Sequence, residues 1–278
     1  MILFPNAKIN LGLEITSRRA DGYHNLDTVF YPVDWHDILE IVPAKQDECT
    51  LTVTGNAVDC PPEKNLVMRA WNVMNAHVPI PPVDIYLHKI IPDGAGLGGG
   101  SADAAFTLIG LNSIFKLGLP DTTLAEFAAE IGADCPFFIY NRPLRATGIG
   151  NIFTPVELSL AQYKLLIVKP PVSVSTKLAY SGVTPHQPAR ELTEMLSLSL
   201  EEWNGVVENR FEKSVFHQFP LIARVKQQLL DAGAVYASMS GSGASVYAIY
   251  SKDRADNMSA LVSTLPLEFI SHVSDMKH

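Results

Sequence analysis

Five glycines fall within seven residues in Pro92-Asp-Gly-Ala-Gly-Leu-Gly-Gly-Gly-Ser-Ala-Asp-Ala-Ala105. Glycine lets a backbone reach positive φ and approach a ligand without Cβ clashes. An alternating strand pattern precedes the run. After it Ala102, Ala105, Phe106 and Ile109 recur at helical spacing, so the run opens a helix. The unpaired N–H groups of a helix's first turn and the positive end of its dipole favour an anion there. The chemistry this suits is polyphosphate binding, by Pro92, Asp93, Gly94, Ala95, Gly96, Leu97, Gly98, Gly99, Gly100, Ser101 and Ala102. A turn without a ligand would carry a large entropic cost for so many glycines.

Two better-known phosphate motifs fit poorly. Gly94, Gly96 and Gly99 satisfy the dinucleotide fingerprint letter by letter, but that motif needs a following strand and an acidic residue about 20 positions on. Here the helix runs into Leu117-Gly-Leu-Pro-Asp121, a helix–turn–helix join. A Walker A loop needs Lys before its Ser, and this chain has Gly100-Ser101. His-Arg-Asp and Asp-Phe-Gly, the protein-kinase signatures, are absent.

Other polar residues have ordinary readings when taken alone. Lys8 and Asn10 fall on the polar face of an alternating strand, where a lysine is usually solvated. Asp134 precedes Cys135-Pro136, which suits an N-cap with proline in the first turn. Asn65 opens a helix and suits the same role. Tyr23-His24 follows the turn signal Asp21-Gly22, where such a pair usually packs.

The elements that must position these residues can be outlined from periodicity. In residues 8–15, Ile9, Leu11, Leu13 and Ile15 alternate with Lys8, Asn10, Gly12 and Glu14, which predicts a half-buried strand. Further strands are expected over 28–33, 38–42, 50–54, 83–91 and 164–168, with a pair around Tyr236 and over 244–250. Val67, Ala70, Trp71 and Met74 stripe one helix. Leu124, Phe127, Ala128 and Ile131 stripe another, with Asp121 as its expected N-cap and Gly132 as its stop. A third is expected over 221–230. Strands and helices do not alternate regularly, which favours an α+β fold with mixed sheets. At 278 residues the natural division is two domains, 1–150 and 151–278, with the pattern breaking between 145 and 155. Residues 181–188 are expected to be loop.

The formal net charge of −8 and the lack of a basic run argue against nucleic acid as partner. Three cysteines with no Cys-x-x-Cys pair argue against a disulfide framework or structural zinc. No signal-peptide core is visible, and no apolar stretch approaches the ~20 residues that span a bilayer. A cytoplasmic protein with no membrane partner is expected; the sequence says nothing of oligomeric state.

Three segments, in order along the chain, resemble the GHMP kinases, the superfamily of galactokinase, homoserine kinase, mevalonate kinase and phosphomevalonate kinase. They are Pro5-Asn-Ala-Lys-Ile-Asn-Leu-Gly-Leu13, the glycine run, and Met239-Ser-Gly-Ser-Gly-Ala244. Arg19-Ala-Asp-Gly-Tyr-His24 and Ile131-Gly-Ala-Asp-Cys-Pro-Phe-Phe138 are similar to the branch that phosphorylates a cytidine diphosphate-linked methylerythritol. The resemblance implies a two-domain α+β fold with the active site in the cleft between domains. It implies ATP and Mg2+ as cofactors, and transfer of the γ-phosphoryl group to the substrate's 2-hydroxyl in non-mevalonate isoprenoid synthesis. It makes Asp134 the base and Lys8 its electrostatic partner, with Asn10, Tyr23, His24 and Tyr180 toward the substrate. Asn65 could touch adenine or only cap its helix, and Ser101 is the candidate metal ligand. Other readings are a homoserine- or mevalonate-type kinase, or a ligand sensor that kept the fold and lost turnover. Asp93 and Ala95 depart from the glycine-richer loop of the family, and Cys135 replaces an apolar β-branched residue.

Overall fold

The computed structural model describes residues 1–58 and 60–277. In chain order its elements are β1 (Ile2–Leu3), β2 (Asn6–Arg18), β3 (His24–His36), β4 (Ile38–Pro43) and β5 (Thr50–Gly55), then α1 (Leu66–His77) and β6 (Val83–Lys89). Three helices follow, α2 (Gly99–Ile114), α3 (Asp121–Ile131) and α4 (Cys135–Tyr140), then β7 (Leu144–Thr147), β8 (Ile152–Pro155) and β9 (Tyr163–Lys169). The remainder is α5 (Thr176–Ser181), α6 (Leu192–Leu196), α7 (Glu212–Gln218), α8 (Pro220–Asp231), β10 (Tyr236–Met239), β11 (Val246–Ser251), α9 (Ala255–Thr264) and β12 (Ile270–Asp275).

The chain divides into two compact units that interleave in sequence. One comprises Met1–Ala7, Trp35–Asp93 and Gly98–Arg142; the other comprises Lys8–Asp34, Gly94–Leu97 and Pro143–His278. A single cut near residue 150 does not describe them, because Lys8–Asp34, most of β2 and β3, and four residues of the glycine run group with the C-terminal half. The 145–155 stretch, expected as a boundary, holds β7 and β8, which pair as a hairpin.

The first unit carries a sheet of order β1-β4-β6-β5, antiparallel except for the parallel β5–β6 pair. On β6, Val83, Ile85 and Leu87 are buried and Tyr86 and His88 are exposed, the period-2 pattern the sequence shows. The helices α1 to α4 belong to this unit. The expected N-cap Asp121 is instead the first helical residue of α3, and Pro120 holds the cap position without a side-chain bond. Asp121 still contributes there, since a carboxylate in the first turn suits the dipole.

The second unit holds two four-stranded sheets, β2-β3-β7-β8 and β10-β11-β9-β12. Leu13, Ile15 and Leu26 from the first share a core with Leu166, Val168, Val246 and Ala248 from the second, and with Ile222, Val225 and Leu229 of α8. This packing corrects the half-buried reading of the first strand. Residues 6–15 of β2 are buried on both faces, Lys8, Asn10 and Glu14 included. Glu14 is buried against Arg210, which donates to it at 2.6 Å.

Candidate active site

Lys8 is 3% exposed, so the solvated-lysine reading fails. A buried ammonium needs compensation. Its Nζ donates to Asn10 Oδ1 at 2.6 Å and to the Gly96 carbonyl at 3.2 Å, and it lies 4.8 Å from the centre of the Phe30 ring. The Lys8 backbone N–H donates to the Leu97 carbonyl. Asn10 is itself held: its Nδ2 donates to Thr28 Oγ1, and Tyr247 donates its hydroxyl to the Asn10 carbonyl at 2.8 Å. The lysine of the first motif is thus fastened to the glycine run.

The third motif meets the same segment. Ser240 Oγ donates to the Gly96 carbonyl at 2.8 Å, and Ser245 N–H donates to the Ala95 carbonyl. Gly96 has φ +78, and a Cβ there would fall 2.1 Å from the Ser240 carbonyl oxygen. Only glycine fits. Ala95 and Leu97 are buried, which accounts for apolar residues inside a phosphate-type loop, and the Asp93 side chain is exposed to solvent.

Gly98 caps α2 in the left-handed region, φ 72, and offers no side chain to the first-turn N–H groups. Those donors are left for a ligand. Behind this turn lies a cluster the sequence did not reveal. The Lys89 ammonium bridges Asp37 and Asp103, at 2.6 Å to the latter, and Asp37 also accepts the N–H groups of Ile90 and Ile91 at the entry to the glycine run. Burial pushes the Asp103 carboxyl up to about 7, against the pull of Lys89 and with a further push from Asp37. Burial alone would lower Lys89, but the two carboxylates outweigh it and hold its pKa raised.

Asp134 occupies the N-cap position of α4 but makes no side-chain capping bond, so the capping explanation does not account for it. Beside it, burial pushes the Cys135 thiol up to about 12, although a hydrogen bond with the Ser101 side chain pulls the other way. Asn65 does cap: its side chain accepts the Val67 N–H at 3.0 Å, which explains its place without a ligand. Tyr23 is 63% exposed at the β2–β3 turn. His24 and Tyr180 stack, ring centres 5.1 Å apart at 25°, and Tyr180 meets Phe211 edge-on. Tyr180 lies in α5, a six-residue helix that ends at Ser181, where loop was expected to begin.

Among the described residues no group of three or more His, Cys, Asp or Glu could hold a metal ion. Among the described residues no helix is long and apolar enough to cross a membrane.

Family models for the GHMP kinases N terminal domain and the GHMP kinases C terminal match residues 65–142 and 187–263. The chain is 53% identical over 255 residues to the 4-diphosphocytidyl-2-C-methyl-D-erythritol kinase of Bacteroides fragilis, covering 91% of this chain and 93% of that one. The same-named protein of Nitratidesulfovibrio vulgaris is 42% identical, covering 87% of each. This chain belongs to the 4-diphosphocytidyl-2-C-methyl-D-erythritol kinases, within the GHMP kinases. A crystal structure of 4-(cytidine 5'-diphospho)-2C-methyl-D-erythritol kinase superposes with a TM-score of 0.79 at 30% identity, covering 98% of both chains. Homoserine kinase from Cytophaga hutchinsonii, at 21% identity and a TM-score of 0.69, shares the fold. The GHMP kinase fold and a phosphotransferase activity with ATP as donor follow from this membership. The homoserine- and mevalonate-type readings and the non-catalytic reading are not favoured.

Proposed function

We propose that the protein transfers the γ-phosphoryl group of ATP to the 2-hydroxyl of 4-diphosphocytidyl-2-C-methyl-D-erythritol, in the cytoplasm, with Asp134 as base and Lys8 as electrostatic partner. The observation that carries this reading is the buried Lys8 ammonium fastened to the Gly96 carbonyl, which ties a cation to a phosphate-type loop. Phosphoryl transfer needs positioning, charge neutralisation and an aligned nucleophile, and little covalent work from the protein. The open first turn of α2 takes phosphate oxygens through its N–H groups. Asp134, at the N-cap position of α4, accepts the hydroxyl proton as the oxygen attacks. Lys8 offsets the negative charge that gathers around the transferring group.

The residues present fit Mg2+ bound mainly by phosphate oxygens and water, since among the described residues there is no carboxylate cage but a half-buried Ser101 hydroxyl sits in the first turn of α2. Bound there, the ion would neutralise phosphate charge. Tyr23, exposed and aromatic, supplies a face on which cytosine stacks, while His24, backed by Tyr180, offers ring nitrogens to its edge. Asn10 reaches the substrate through its hold on Lys8. Asn65, 8% exposed, is left to capping its helix.

Incubation with Mg·ATP and a panel of alcohols tests the assignment. ADP release is expected with the cytidine diphosphate-linked methylerythritol and not with homoserine or mevalonate; the opposite preference would defeat it.

A further inference from the structure

The turn that presses on Gly96 is itself held by a segment that carries no recognised motif. Asn209 is 3% exposed and uses its whole amide: Nδ2 donates to the Met239 carbonyl at 2.7 Å and the Gly241 carbonyl at 2.8 Å, and Oδ1 accepts the Phe211 N–H. Three residues on, Glu212 Oε1 accepts the Met239 N–H at 2.8 Å and the Ser238 hydroxyl, while Oε2 takes Lys226. Both backbone groups of Met239 are therefore gripped by side chains from this one segment. The segment is in turn stitched to β2, because Leu13 N–H donates to the Glu208 carbonyl and Arg210 N–H to the Leu13 carbonyl. Lys8 and Asn10 lie on that same strand.

From the turn the path to the lysine is short. Ser240 Oγ and Lys8 Nζ donate to one acceptor, the Gly96 carbonyl. A Cβ added to Gly241 would lie 3.5 Å from Asn10 Oδ1 and 3.3 Å from the Gly96 carbonyl oxygen, so the turn is also packed against the lysine's other partner. With such close contacts, movement of the turn must move Gly96.

We propose that Asn209 and Glu212 are positioning residues for phosphoryl transfer, setting through the 240–243 turn the place of the Gly96 carbonyl and so of the Lys8 ammonium. This rests on the kinase reading above. A misplacement of about 1 Å can cost ~100-fold in rate, so loss of either grip is expected to act on kcat well before it unfolds the protein.

The test compares Asn209→Ala, Glu212→Ala, Glu212→Gln and Ser240→Ala with Asn204→Ala. The last removes a similar amide-to-carbonyl bond, to Val235 at 2.6 Å, elsewhere in the same unit. Glu212→Gln keeps an acceptor for the Met239 N–H and should retain kcat within about twofold of wild type, whereas Glu212→Ala and Asn209→Ala should lose about tenfold or more. Asn204→Ala should behave as wild type. Residues that act as a unit give non-additive losses, so Asn209→Ala/Ser240→Ala should be no worse than about twice the poorer single variant. Rates are normalised to folded protein from melting curves. Wild-type kcat per folded molecule in Asn209→Ala, or multiplying losses in the double variant, would overturn the inference. If Asn209→Ala does not fold, equal kcat in Glu212→Ala and Glu212→Gln overturns it instead. Wild type that releases no ADP would strike the kinase reading; calorimetric ADP affinity then decides the inference alone, with about tenfold weakening in Asn209→Ala expected and unchanged affinity contradicting it.

Discussion

At the scale of single residues, the site's chemistry depends on what burial does to a few side chains. Lys8 looks like a surface lysine on an alternating strand; packing of both sheet faces removes it from water and fixes it on Asn10 and Gly96. Alternation alone could not reveal that, because a polar residue at period 2 reads the same whether its face meets solvent or a second layer. The resemblance to a family motif was the signal that found it. Lys8→Met should lower kcat, and so should Asp134→Asn, by about 10²–10⁴, the range for a general base. ADP affinity measured by calorimetry should stay near wild type in Asp134→Asn. The double variant should lose far less than the product of the two single losses, because in the proposed mechanism both serve one step; near-normal turnover in Asp134→Asn would remove it from the mechanism. Cys135 gives a second residue-scale check. Fully buried, with its thiol held near a pKa of about 12, it stays protonated at neutral pH. The thiolate is the reactive form, so iodoacetamide at pH 8 should label the part-exposed Cys60 first and Cys49, whose thiol burial also pushes up, more slowly, while Cys135 stays unmodified until denaturant is added. Peptide mapping by mass spectrometry reads the outcome.

At the scale of elements, the glycine run explains why some substitutions test binding and others only test folding. A side chain at Gly98 would have to adopt φ 72, a left-handed conformation costly for a β-branched residue, so Gly98→Val confounds nucleotide binding with backbone strain. Gly100 is cleaner. It lies within α2, and a Cβ there meets only Leu66 Cδ1, at 3.6 Å. Gly100→Val should weaken ADP binding at least about tenfold, with the apo melting temperature changed only by the small cost of valine in a helix, under ~1 kcal/mol against alanine. Gly96→Ala should behave oppositely and lower apo stability, since its methyl would sit 2.1 Å from the Ser240 carbonyl oxygen. Much at this scale was legible in the sequence: β6 and α3 follow their periodicity, and the glycine run opens a helix as its spacing implies, although α2 starts earlier, at Gly99. The failures share a cause. Where β7 and β8 form a short hairpin, four residues each are too few to establish a period. Six-residue α5 is likewise too short to establish a period, and Asn209 and Glu212 grip backbone atoms far along the chain, which leaves no local pattern.

At the scale of the whole molecule, three motifs far apart in sequence converge on one backbone group. In the second unit β2, the 94–97 segment and the 240–243 turn meet through the Gly96 carbonyl. That convergence was legible only as order along the chain, since no one-dimensional pattern shows which carbonyl a distant hydroxyl will reach. The outline of the two units was not legible, because Lys8–Asp34, most of β2 and β3, group with the C-terminal half. Membership of the family fixes the type of reaction; in the function proposed above, substrate choice within the GHMP kinases rests on Tyr23, His24 and Tyr180. A site that hydrogen-bonds a base edge rejects a base with the wrong donor pattern, because its own polar groups are left unpaired. Cytosine presents an amino donor where uracil presents a carbonyl. The most direct measurement is therefore kcat/KM for the cytidine substrate against its uridine analogue, with Mg·ATP held saturating. Two mismatched hydrogen bonds at ~1.5 kcal/mol each predict a preference of at least about 10²-fold for cytidine, narrowed in His24→Ala. Equal efficiency on the two nucleotides would contradict the account.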